Sequence, residues 1–160
     1  MGITGSATQA AIADDFLRLA SVTVRCKRAS EAALRSAVSR AYYAVFLTAR
    51  DHLFGAGGSR LIGPKRKQLR KKFQQKAFRE PGSHDLVIFA VTEVPRSAAL
   101  KPIVLAQQVE QLKEARVYAD YFYSTQKLRG VPYDNWRDYA TKSVELASQL
   151  LPSARRLPPL

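Results

Sequence analysis

From Thr8 to Pro152 apolar side chains return every three or four residues, and outside the short run HDLVIFAV no segment reads as a strand. A half-buried strand needs alternation with period two, whereas a helix face needs the three-to-four spacing, so the pattern restricts the chain to an all-α fold. The first helix is expected over about Thr8–Arg28, with Phe16, Leu19, Ala20 and Val24 along its inner edge. Ser30 before Glu31 marks a capped second helix that carries Leu34, Val38, Tyr42, Val45, Ala49 and Leu53. A glycine-rich loop over 55–64 ends it. Residues 65 to 78 read as a third helix. HDLVIFAV fits either a short helix or a buried strand, and a lone strand would have no partner, so helix is the expectation. Another long helix runs from about Leu100 to Thr125, with Pro102 tolerable only in its first turn. The last starts near Tyr133 or Asp134 and stops at Pro152, leaving a flexible tail over 152–160. Four or five helices in one up-and-down bundle, a single domain over 1–160, are the economical architecture.

Charge sets the class of partner. Lys and Arg number 26 against 13 Asp and Glu, a net +13, which points to a polyanion and first of all to nucleic acid. The excess is concentrated: Arg60, Lys65, Arg66, Lys67, Arg70, Lys71, Lys72, Lys76 and Arg79 occur with no acidic residue among them. On one helix they cover more than half the circumference, with Phe73 and Phe78 embedded between them. The bland alternative is a solvated helix pinned by Leu69 and Phe73. Such clusters bind phosphate backbone and shape, and they do not read base sequence.

Other chemistries are absent. One cysteine, Cys26, excludes an internal disulfide and a cysteine-built metal site, and no metal or cofactor is expected. GAGGSRLIGPK lacks phosphate-loop spacing. The longest apolar run, at 86 to 91, is far too short for a bilayer, and the N-terminus lacks a signal-peptide pattern, so a cytoplasmic location without membrane contact is expected.

One stripe breaks its own rule. Leu105, Val109 and Leu112 lead in helical steps to Arg116, then to Asp120 and Tyr123. A charge on an apolar stripe is costly unless it is paired or faces something other than core. The second helix carries a comparable group, Ser39, Arg40, Tyr42, Tyr43 and Phe46, which suggests a polar seam shared by two helices.

These stretches carry a resemblance. LRSAVSRAYYAVFLTARDHL resembles the second helix of HEPN-domain proteins, GSHDLV the start of their third, and LKEARVYADYF their fourth. The likeness covers most of residues 8 to 152 in order and spacing; the basic insert over 60–79 is less typical. It implies a helical bundle that forms a homodimer through the motif-bearing helices. It also implies an RNA-directed, metal-independent RNase, toxin or defence effector, with a minimal nucleotidyltransferase or another operon product as partner. The family's catalytic pattern is Arg, four to six residues, then His. Arg116 matches its first half, but Tyr121, Phe122 and Tyr123 stand where the histidine belongs. Tyrosine is a poor base at neutral pH. His84 could supply the base if the bundle brings it to Arg116, whereas His52 reads as a helix-end residue. Arg116, Asp120, Tyr121, Tyr123 and His84 are therefore the candidate site, and Arg40 joins the basic segment as a phosphate contact. The competing readings are a half-buried Arg116–Asp120 ion pair that fixes register, and an interaction subunit whose basic face docks an acidic protein. DNA in place of RNA is a third.

Overall fold

The structure, a computed structural model, describes residues 4–121 and 135–160, with side chains from Ala11 onward. The described residues form six α-helices and no strand: α1 (Thr4–Arg25), α2 (Glu31–Phe54), α3 (Gly63–Ala77), α4 (Ser83–Thr92), α5 (Pro102–Tyr121) and α6 (Trp136–Ala154), with a short 3-10 turn at Ala56–Gly58. The fold is all-helical as expected, with six described helices rather than the four or five expected of the bundle; residues 65–78 and HDLVIFAV, both read as helical, fall in separate helices, α3 and α4.

Helix α2 is the axis. Leu34, Ala37, Val38, Ala41, Tyr42, Ala44, Val45, Phe46, Thr48, Ala49, Leu53 and Phe54 are all buried, so it is covered on nearly every side. Four of these are alanines, which let neighbouring backbones approach closely. Ser30 starts the helix, its Oγ accepting from the Ala33 amide at 3.2 Å. Helix α1 ends at Arg25, three residues short of the expected Arg28, and a turn closed by the Ala29 amide on the Cys26 carbonyl at 3.0 Å leads to Ser30. At the other end Gly55 has φ 76°, left-handed backbone that suits glycine, and the Arg60 amide returns to the Phe54 carbonyl at 2.7 Å.

Polar contacts set the helix directions. Arg35 near the start of α2 donates to the Ala119 carbonyl near the end of α5, so these two helices run oppositely. Arg137 at the start of α6 donates to the Val24 carbonyl at the end of α1, while Arg155 reaches back to Asp14. Leu34 and Val38 share a core cluster with Tyr139 and Ala140, and α6 ends where α2 ends. Thus α1, α2, α5 and α6 alternate in direction, and α3 and α4 are inserted between the second and third of these. Among the helices α3 packs against α4 alone, through buried Leu69 and Phe73.

Several boundaries differ from expectation. Pro152 lies inside α6 rather than ending it: its ring is exposed, and in the last turn the missing amide forfeits only one hydrogen bond. Helix α5 begins at Pro102. Its expected extension to Thr125, and the expected start of the last helix at Tyr133, fall outside the described residues. Helix α3 takes up Gly63 and Pro64 from the expected loop over 55–64.

The tail is not the flexible segment the sequence suggested. Leu157 is 3% exposed, and the Leu160 amide donates to the Leu53 carbonyl at 3.0 Å, so these leucines help to cover the apolar end of α2. Leu157→Ala is expected to cost about 2 kcal/mol in a thermal melt, the low end of the range for truncating a buried leucine. An unchanged melting temperature would show the tail to be frayed.

Candidate functional site: a polar seam between α2, α4 and α5

Three helices bring the charged stripe of α5 against the aromatic face of α2 and the first turn of α4. The Arg116 side chain is 19% exposed and its Nε lies 2.7 Å from Asp120 Oδ2. The N–H is not aimed at that oxygen, so the pair is an ion pair by distance while Nε stays buried without a hydrogen bond. Asp120 is fixed from α2, its Oδ1 accepting from the Ser39 hydroxyl. The guanidinium lies between two rings, 5.5 Å from the centroid of Tyr43 and 5.7 Å from that of Tyr121. Tyr121 is 64% exposed.

His84 belongs to the same seam. Its ring stacks on Phe46 with centroids 4.4 Å apart and meets Tyr43 edge-on at 6.0 Å, so Tyr43 touches both His84 and Arg116. His84 Nδ1 lies 2.5 Å from the hydroxyl of Tyr42, which is fully buried. Burial first, then neighbouring Tyr43, pushes the Tyr42 phenol far above its ordinary range, so it keeps its proton. No other acceptor among the described residues takes that proton. Tyr42 therefore donates and Nδ1 accepts, which leaves the imidazole neutral with hydrogen on Nε2. Burial, with the positive charges of Arg116 and Lys113, holds the His84 pKa below its usual value. The ring edge away from Tyr42 is thus a hydrogen-bond donor, and the lone pair a general base would use is occupied.

A second charge cluster flanks the first. Asp85 accepts from Arg79 Nη1 at 2.7 Å, from Lys113 Nζ at 2.6 Å and from the Gly82 amide at 3.0 Å. Burial alone would raise its pKa, but these three donors outweigh it and hold the carboxyl well below the usual range. Lys113 also donates to Glu110 at 2.8 Å. Burial works against its charge, and the two carboxylates more than compensate, so its pKa is raised.

The basic segment divides in two. Arg70 pairs with Glu80 at 2.5 Å, Lys72 and Lys76 both reach Glu93, and Arg79 is committed to Asp85. Arg60, Lys65, Arg66, Lys67 and Lys71 have no carboxylate partner among the described residues. Phe73 is buried edge-on against Phe89, whereas Phe78 is 91% exposed at a left-handed residue that closes α3. Arg40 is half-buried on α2, which does not touch α3, so it stands apart from these cations.

Arg116, Asp120, Tyr121 and His84 thus line one seam, while Tyr123 lies outside the described residues. Sequence reading missed Tyr42 as the partner of His84, and Lys113 and Asp85 as its charged neighbours. The His-Asp pair at the start of α4 and the tyrosine doublet in α2 were visible, but nothing local ties residue 42 to residue 84. No cluster of metal-binding side chains occurs among the described residues, and no helix among them is long and apolar enough to cross a membrane. No family model matches the chain, and neither does any curated protein or solved structure.

Proposed function

We propose that this chain is a HEPN-like RNA-binding protein of a toxin–antitoxin or defence system, a homodimer whose α2–α5 seam is a degenerate, weak or inactive, metal-independent ribonuclease site. The observation that carries the reading is the group of five cations without carboxylate partners among the described residues, on and just before α3, a helix closed by the exposed Phe78. Phosphates satisfy such cations, and a base can stack on Phe78. Weak cleavage follows from the seam: Tyr42 occupies the imidazole lone pair, and Arg116 and Lys113 oppose its protonation.

The test is binding of a single-stranded RNA oligonucleotide across a salt series, with wild type and with Lys65, Arg66, Lys67 and Lys71 all changed to Gln. Four lost phosphate contacts should flatten the slope of log K against log salt by about 3, and weaken binding roughly a hundredfold at moderate salt. An unchanged slope would remove α3 from the interface. The same samples, held in EDTA, are expected to show little or no strand scission.

A second reading, an interaction subunit that docks an acidic protein through the basic face, has one observation in its favour. Glu80, just past α3, and Glu93, at the end of α4, already serve as carboxylate partners for α3 cations. Tight binding to a purified partner, with RNA binding absent at physiological salt, would favour it.

A further inference from the structure

At the corner where α4 hands over to α5 a groove of about 450 Å³ opens, lined by Thr92, Val94, Arg96, Lys101, Ile103 and Val104. The turn that shapes it is held closed from both sides: the Ser97 amide donates to the Leu100 carbonyl at 3.0 Å, and the Leu100 amide returns the bond at 3.3 Å. Leu100 and Val94 are buried beneath it, so the corner is anchored in the core. Above that anchor Ile103 is 63% exposed and Val104 46% exposed. Two branched aliphatic side chains on the first turn of a helix cost solvation in the isolated chain, and nothing among the described residues covers them.

The rim has one sign of charge. Arg96 and Lys101 are exposed and neither has a carboxylate partner among the described residues. Glu93, the nearest acid in sequence, is turned to Lys72 and Lys76 on α3 and is neutralised there. The first turn of α5 holds no acidic residue. An occupant must therefore bring an apolar side chain for the floor and carboxylates for the rim. Nucleic acid fits poorly, because the floor is aliphatic and has no ring on which a base could stack.

We infer that this corner is a docking groove for a short acidic peptide segment of a partner protein, seating one or two aliphatic side chains against Val94, Ile103 and Val104 while Arg96 and Lys101 take its flanking carboxylates. The inference does not depend on RNA binding at α3, which lies on another helix and uses other cations. Burial of an aliphatic anchor gives the affinity, and the two cations select against basic or neutral segments.

Selection from a displayed library of random 12-residue peptides on the full chain tests this. The expected result is enrichment of sequences that place Leu, Ile or Val between Asp or Glu. Binding of the enriched peptide should fall at least tenfold in Ile103→Asp and at least fivefold in the Arg96→Glu, Lys101→Glu double variant. Both changes lie on exposed side chains, and a thermal melt of each variant should match the wild type. The Lys67→Gln, Lys71→Gln variant should bind the peptide normally while its RNA binding weakens about tenfold. Failure to enrich acid-flanked aliphatic sequences would overturn the inference. So would undiminished binding to the Ile103→Asp variant. A third overturning outcome is that the Arg96→Glu, Lys101→Glu variant loses a single-stranded RNA oligonucleotide but keeps the peptide, which would make the corner a nucleic-acid contact.

Discussion

Replacing Tyr42 with alanine is expected to lower the unfolding free energy by about 3–5 kcal/mol, the range for truncating a buried aromatic ring. The ring is fully buried on the central helix, and it packs against Tyr43, Phe46 and His84 at centroid distances of 5.3, 5.5 and 5.6 Å. Its loss opens a cavity in the core that α2 shares with α4 and α5. Tyr42→Phe separates the ring from its hydroxyl. That variant keeps the packing and should cost only about 1 kcal/mol, the net worth of one hydrogen bond. It also removes the donor that holds His84 in one tautomer. Nitrogen NMR of the histidine is expected to show hydrogen on Nε2 in the wild type and a mixture of tautomers in Tyr42→Phe. A wild-type ring with hydrogen on Nδ1 would reverse the donor assignment and return a base to the seam.

The second large effect is loss of stability in acid, and it should come in two stages. His84 has a folded pKa below its unfolded value, so below about pH 6.5 the unfolded chain binds more protons there and stability falls. Asp85 has a carboxyl held far below the ordinary range, so its contribution is complete above its unfolded pKa of about 4 and disappears as pH falls further. Denaturant unfolding between pH 8 and pH 3 should show both steps. His84→Gln should abolish the upper one alone. Asp85→Ala should remove the lower one and cost about 2–4 kcal/mol at pH 7, because it leaves Lys113 mostly buried with Glu110 as its one carboxylate partner among the described residues. A flat profile from pH 7 to pH 5 in the wild type would contradict the environment described for His84.

The helices were legible because burial on a helix repeats locally. Ser30 and the glycine run from Gly55 marked the two ends of α2 with mechanisms that act within a few residues, and both ends fall there. The boundary between α3 and α4 was harder, since it turns on Phe78 adopting left-handed backbone, a position the sequence would lead one to expect glycine to fill. Pro152 misled for the opposite reason: a local rule against proline yields when the ring faces solvent in a final turn. The stripe leading to Arg116 correctly flagged a polar seam. Its composition could not be read, because Ser39 meets Asp120, and Tyr42 meets His84, only after the bundle forms. The basic segment looked wholly unpaired for the same reason. Glu93 lies more than a helix away in sequence from Lys72 and Lys76, so their neutralisation is a tertiary fact.

The central position of α2 has a consequence for synthesis. It leaves the ribosome before the partners that cover its last turns, the end of α6 and Leu157 with Leu160, have been made. Until α6 is made, this long alanine-, valine- and aromatic-rich rod lacks one of the described helices that pack on it, and that flank stays bare. Chains stalled or truncated before the closing helix should be sticky and protease-sensitive, and quality control would meet them as clients rather than as shortened versions of a working protein.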